Sequence, residues 1–259
     1  MKHCIHFFYY PTLLIIFFAT ISSTTLIAQQ QTKHSVIVVI TPHPDDAEAS
    51  CGGLIANYTS AGKEVIILTM TGSERGIWNA NMDEARKIRT EEARNAANAL
   101  GAKIEFFAAI DGSLAADSAN NFKLKEILQK INPAIVFAPW PLDVHPDHQA
   151  TGILAWRAFQ DKRFSFDLYF YETSNSPHTK SFQFVPTDYV DITGVMEKKR
   201  EATYKHKSQA PEEWFGMYEI MARANGYSAD VTFAEAYIKA RNSSGLGERS
   251  AVVNKTLNK

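Results

Sequence analysis

The run Val36-Ile37-Val38-Val39-Ile40 contains no polar residue, and its β-branched side chains read as a strand buried on both faces. Glu64-Val65-Ile66-Ile67-Leu68-Thr69 is a second such run. The residues between them, Cys51 to Ala61, read as a helix that stops at Gly62, where a left-handed cap fits. Strand, helix and strand within about thirty residues make a βαβ unit. The alternation continues with a helix from Asp83 to Leu100 closed by Gly101, a strand at Lys103–Phe107, a helix at Phe122–Ile131 and, after Pro133, the strand Ala134–Ala138. Such a sequence predicts an α/β fold: a Rossmann-like three-layer α/β/α domain with a mostly parallel sheet. With 259 residues, of which 45% are hydrophobic, the chain suits one such domain.

The two ends read differently from the middle. Lys2 and His3 precede an apolar run from Phe7 to Ile21, a Ser/Thr patch and Leu26-Ile27-Ala28, the order of a secretory signal cleaved after Ala28. This predicts a signal peptide over 1–28, a domain over 29–241, and a mobile tail over 242–259, where Ser, Asn and Lys dominate. The product is expected to be exported, periplasmic or secreted. An uncleaved anchor is the rival, disfavoured by Pro11 and by a run shorter than the roughly 20 residues a spanning helix needs. Cys4 leaves with the signal, so Cys51 is left without a disulfide partner; on a helix entering the core and with no local base, it reads as structural.

Charge excludes one class of partner. The 27 basic and 28 acidic side chains are interleaved, as in Asp83-Glu84-Ala85-Arg86-Lys87, which forms solvated helix faces and no basic stripe for nucleic acid.

Two short segments carry chemistry. Thr41-Pro42-His43-Pro44-Asp45-Asp46 follows the first strand, and His145-Pro146-Asp147-His148 follows the strand ending at Ala138. In open parallel sheets ligands bind beyond the carboxyl ends of strands, so both segments belong to one rim. Pro44 stiffens the first turn, letting His43 and Asp46 converge; with one histidine of the second segment they make a three-ligand site with a position left for water. Asp45 is then free to act as general base toward a zinc-activated water. Either His145 or His148 serves as the third ligand. The other can remain protonated to stabilise an oxyanion or protonate a leaving amine, oriented by Asp147 or Asp143. Iron(II) suits the same donors. The bland alternative makes the aspartates helix caps and the histidines surface residues, but caps need neither the second histidine nor the surplus of carboxylates.

Pro42-His43-Pro44-Asp45-Asp46-Ala47-Glu48 with Cys51-Gly52-Gly53 resembles the opening signature of the zinc-dependent de-N-acetylases of the PIG-L/LmbE type. Also similar are Gly72–Gly76 after Leu68-Thr69, Arg89–Ala93 with Leu100-Gly101, and His145–Gly152, with weaker likeness at Asp191–Thr193, Lys198-Lys199 and His206–Gln209. The family often has glycine where Ser73 aligns. The resemblance implies His43, Asp46 and His148 as zinc ligands, Asp45 as base, His145 as the electrophilic histidine and Asp147 as its partner. It also implies hydrolysis of an acetamide on an amino sugar.

Arg75, in the loop after the second strand, is a candidate to grip a substrate hydroxyl or anion. Trp78 and Trp140 are candidates to stack on a sugar. The expected substrate is a small molecule or glycan carrying an N-acetyl group, and export would direct the enzyme to envelope, host or dietary glycans. The alternatives are a glycan- or metal-binding protein without catalysis and a hydrolase of another amide.

Overall fold

The computed structural model describes residues 36–174 and 182–241. The expected signal and tail lie outside them, and no helix of the described residues is long and apolar enough to cross a membrane. Seven strands form one sheet: β1 (Ile37–Thr41), β2 (Val65–Thr71), β3 (Lys103–Ala109), β4 (Ile135–Pro139), β5 (Asp167–Tyr171), β6 (Asp188–Asp191) and β7 (Ala234–Lys239). Their order is β3-β2-β1-β4-β5-β7-β6. Pairing is parallel from β3 to β5, and β7 runs antiparallel to both of its neighbours. The helices are α1 (Asp46–Ser60), α2 (Met82–Leu100), α3 (Ser118–Ile131), α4 (Pro146–Phe159), α5 (Met196–Thr203) and α6 (Pro211–Ala229).

Alternate residues of the central strands enter two separate cores. Ile37, Val39, Ile67, Ile135 and Phe137 pack with α1, α2, α5 and α6, whereas Val38, Ile40, Leu68, Val136 and Ala138 pack with α3 and α4. A strand between two helical layers has no polar face, which is why β1 and β4 read as continuous apolar runs. The predicted three-layer architecture is the one observed.

The βαβ elements match their predicted positions closely, and Gly62 and Gly101 take the left-handed conformation expected of caps. Two helix starts differ: α1 begins at Asp46, five residues before the predicted start at Cys51, and α3 begins at Ser118, four before the predicted start at Phe122. Asp46-Ala47-Glu48-Ala49-Ser50 looks polar enough for a loop, yet all five are buried. Two glycines allow the close approaches that fix the rim. A side chain at Gly53 would put Cβ 2.4 Å from Ile192 Cγ2, and one at Gly152 would put it 2.4 Å from Pro139 O, so α4 lies directly against the end of β4. Within α1 the Glu235 carboxylate accepts from Gly53 N and Leu54 N, both at 2.8 Å, from Tyr237 Oη at 2.9 Å and from Lys199 Nζ at 2.7 Å. This buried group ties β7 and α5 to the helix that carries Asp46. Cys51 is fully buried in the core, and burial pushes its thiol pKa well up, as a structural cysteine requires.

Candidate metal centre

β1 and β4 are neighbours, but the chain leaves β1 for α1 in one helical layer and leaves β4 for α4 in the other. The crevice between such diverging connections is the usual ligand site of an open α/β sheet. Both histidine segments meet there. Thr71 Oγ1 and Thr71 N donate to Pro42 O, at 2.9 and 3.0 Å, fastening the turn after β1 to the end of β2. On the other side His145 takes the N-cap position of α4 and Pro146 the first turn, where its fixed φ and missing N–H cost nothing.

Three side-chain atoms face one point. His43 Nδ1 and Asp46 Oδ2 are 3.3 Å apart, His148 Nε2 and Asp46 Oδ2 3.3 Å, and His148 Nε2 and His43 Nδ1 3.2 Å. Donors around a tetrahedral zinc with arms of about 2.0–2.1 Å are separated by about 3.3–3.4 Å, so the triangle fits one face of such a tetrahedron. The opposite nitrogens are also occupied. His43 Nε2 is 3.2 Å from both Asp111 Oδ1 and Asp147 Oδ2, and His148 Nδ1 is 3.3 Å from Asp143 Oδ2. Carboxylates there favour each ring's proton on the far nitrogen, through a hydrogen bond at His43 and by charge alone at His148, and leave the near nitrogen as a donor to a metal. His145 brings a third ring, its centroid 4.8 Å from that of His43 and 4.9 Å from that of His148.

The electrostatics suit a cation. Burial alone would lower the His43 pKa, but Asp111, Asp147 and Asp46 outweigh it and raise the value well above that of a free histidine. Burial is likewise overcome at His148, which Asp46 and Asp143 push up to about 9. Burial would raise Asp46, yet the rings of His148 and His43 hold it down. A field that draws positive charge onto both rings draws a metal ion to the same place.

Asp45 precedes α1 in the N-cap position, but its side chain makes no cap hydrogen bond. Its φ of 96° is costly for a residue with a Cβ, of order 1–3 kcal/mol, and such strain persists where surrounding contacts impose it. Those contacts come from Arg89, whose Nη2 donates to Asp45 Oδ2 at 2.7 Å and to Pro44 O at 2.5 Å. Glu92 Oε2 lies 3.3 Å from Arg89 Nη1, and the two oxygens of Glu92 accept from Ser208 N and Ser208 Oγ. Burial pushes the Asp45 carboxyl up, the Arg89 guanidinium opposes this, and Asp46 adds to the rise.

Two expectations take a different form. The Asp147 carboxylate is engaged by His43 Nε2 and by the backbone N–H groups of Gly112 and Leu114. Its link to His145 runs instead from Asp147 N to His145 Nδ1, at 3.2 Å. Burial and the neighbouring rings lower the His145 pKa, so its surroundings favour the neutral ring over the protonated one expected. With Nδ1 accepting, the remaining proton is on Nε2, available to donate.

Of the residues suggested for substrate, Arg75 is exposed on the same rim, its Nη1 against Gly112 and its N–H donating to Asp111 Oδ2. Trp78 is 97% exposed on that loop. Trp140 packs edge-on against Phe170 and Phe184 and donates Nε1–H to Phe182 O, an arrangement that accounts for it structurally. Ser73 takes the left-handed φ of 53° that glycine would adopt freely. A cavity of about 310 Å³ opens beside Asp45 and Asp46, walled by Ala49, Ser174, Gln209, Trp214, Met217 and Tyr218. Arg89, Glu92, Asp111, Gln209 and Trp214 had been given no role at this site from the sequence.

The PIG-L family, GlcNAc-PI de-N-acetylase, matches residues 38–159, which include every member of the triangle. A diacetylchitobiose deacetylase of Thermococcus kodakarensis is 30% identical over 196 residues, 71% of this chain and 73% of that protein. The chain belongs to the PIG-L family. An N,N'-diacetylchitobiose deacetylase from Pyrococcus horikoshii has the same fold at a TM-score of 0.72 and 27% identity, covering 90% of this chain and 95% of its own. Family likeness also extends to a 4-oxalmesaconate hydratase of Pseudomonas putida, 28% identical over 63% of this chain and 70% of that protein. Activation of water is common to hydrolysis and hydration.

Proposed function

We propose that the chain is an exported, metal-dependent N-deacetylase that hydrolyses the acetamide of an N-acetylated amino sugar. The observation that carries this reading is the His43, Asp46 and His148 triangle with the strained carboxylate of Asp45 beside it. Relatives named as deacetylases of diacetylchitobiose support it.

In this reading His43 Nδ1, Asp46 Oδ2 and His148 Nε2 hold the metal, zinc by preference with iron(II) as the alternative. When bound, such an ion lowers the pKa of a coordinated water to about 7 and polarises a carbonyl. Asp45, its carboxylate aimed by Arg89 and made more basic by burial, takes the proton of the attacking water and gives it to the amine nitrogen as the C–N bond breaks, leaving acetate and the free amine. His145 offers Nε2–H to the developing oxyanion, and the neutral ring can do this without carrying a charge. Asp147, Asp111 and Asp143 act through the ligand rings they orient. Export rests on the leader-like order of residues 1–28.

The test is acetate release from N-acetylglucosamine and its short oligomers by the protein from Gln29, with zinc supplied and after chelation. Release that chelation abolishes and zinc restores is expected. Folded, metal-loaded protein that releases no acetate but hydrates an unsaturated acid would overturn the reading in favour of a hydratase.

A further inference from the structure

We infer that Trp214 is the platform on which a neutral sugar ring rests while its acetamide meets Asp45, an inference that depends on the deacetylase reading above. The cavity beside Asp45 and Asp46 has a volume of about 310 Å³. That is the lower end of the range of about 300–1,000 Å³ in which small-molecule sites fall, and it suits one ring better than several. Part of its wall comes from one face of α6, where Trp214, Met217 and Tyr218 supply aromatic and thioether surface. Ser174 and Gln209 add neutral polar groups, and no basic side chain lines it among the described residues. A sugar presents an apolar C–H face and a rim of hydroxyls, and this lining matches both.

The tryptophan is fixed. Its Nε1–H donates to Gln209 O at 2.9 Å, and its ring meets Tyr218 edge-on at 5.8 Å. Tyr218 is anchored in turn, its hydroxyl donating to Ser174 O and accepting from Ser174 N, both at 3.1 Å. Gln209 Nε2 donates to Gly76 O, and the adjacent Ser208 holds Glu92, which pairs with Arg89 and so with Asp45. One chain of hydrogen bonds therefore sets the distance between the platform and the base. A ring seated on Trp214 has its acetamide presented at a defined place, as orientation effects in catalysis require.

The experiment compares Trp214→Ala and Trp214→Phe with the wild type on N-acetylglucosamine and diacetylchitobiose, each checked for bound zinc and for a native circular dichroism spectrum. Trp214→Ala should raise KM about tenfold and lower kcat as well, because the ring loses both contact area and its defined place, and Trp214→Phe should recover part of both losses. A titration with glucosamine should change the intrinsic fluorescence of the wild type and leave that of Trp214→Phe unchanged. A folded, zinc-loaded Trp214→Ala enzyme with wild-type KM would overturn the assignment. Equal kcat/KM for N-acetylglucosamine and its 6-phosphate would overturn the neutral-ring part of it. Absence of acetate release by the wild type would overturn the deacetylase reading itself, whatever the variants do.

Discussion

Replacement of Asp147 by Asn separates two roles that the position could have. The carboxylate lies 3.2 Å from His43 Nε2 and accepts from Gly112 N at 2.7 Å and Leu114 N at 3.2 Å. Three donors thus converge on two oxygens. An asparagine side chain has one acceptor oxygen, so in either orientation its NH2 must face a donor, His43 Nε2–H or a backbone N–H. Asp111 Oδ1, also 3.2 Å from His43 Nε2, keeps the ring partly oriented, so the loss should fall short of complete release of metal. Removal of such an outer partner costs about 10–100-fold in metal affinity, or about 1.4–2.7 kcal/mol. Zinc competition against a chromophoric chelator measures this directly, with kcat determined at saturating zinc. Weaker zinc binding with kcat largely restored at saturation is expected if Asp147 serves His43. Unchanged zinc affinity with a large fall in kcat would refute this and return Asp147 to the role of partner to His145.

Asp45→Asn should keep the metal, since Asp45 is outside the triangle, and should lower kcat by about 10²–10⁴-fold, measured as acetate release against bound zinc. Full activity in that variant would remove Asp45 as base. Glu235→Ala should destabilise the domain by about 3–5 kcal/mol, because Lys199 is left charged in a site where both partners are buried. Urea unfolding followed by circular dichroism would show it as a lower midpoint, and a loss under 1 kcal/mol would mean that the pair does not brace α1.

β1, β2, β4 and the rim were legible in the sequence because burial on both faces leaves an apolar run and parallel strands put the ends of β1 and β4 on one edge, whereas β5, β6 and β7 were not anticipated. The pair of histidine segments was legible for the same reason. The start of α1 was not, since Asp46, Glu48 and Ser50 owe their burial to tertiary partners that local pattern does not reveal; Glu48, for example, lies 3.3 Å from His206. Arg89 left a trace that charge counting obscured. It stands in the stripe Ala85, Arg89, Ala93, Ala96 and Leu100, at helical spacing, so it belongs to the buried face of a helix most of whose other charges are solvated. An arginine in such a stripe needs a carboxylate, and Asp45 provides it. Asp111 had only its place after a rim-directed strand to mark it, and Trp214 had nothing local, because its position follows from how α6 docks.

Likeness to both deacetylases and a hydratase makes sense if the family's common machinery ends at the activated water. His43 and Asp45 are on the turn after β1, Asp46 opens α1, Asp147 and His148 are in the first turn of α4, and Asp111 and Asp143 follow β3 and β4. Most of the cavity wall, namely Gln209, Trp214, Met217 and Tyr218, is on α6 and the short segment before it, outside residues 38–159 where the family match lies. A wall supplied by a separate part of the chain can change without disturbing the metal corner, whereas a change in the triangle abolishes every reaction that depends on it. On the proposed reading, substrate choice belongs to residues such as Trp214 and Tyr218, and reaction chemistry to His43, Asp45, Asp46 and His148. Hydrogen bonds from Ser208 and Gln209 to Glu92 and Gly76 join the two parts, which makes the turn before α6 the place where a change of substrate would first be felt at the base.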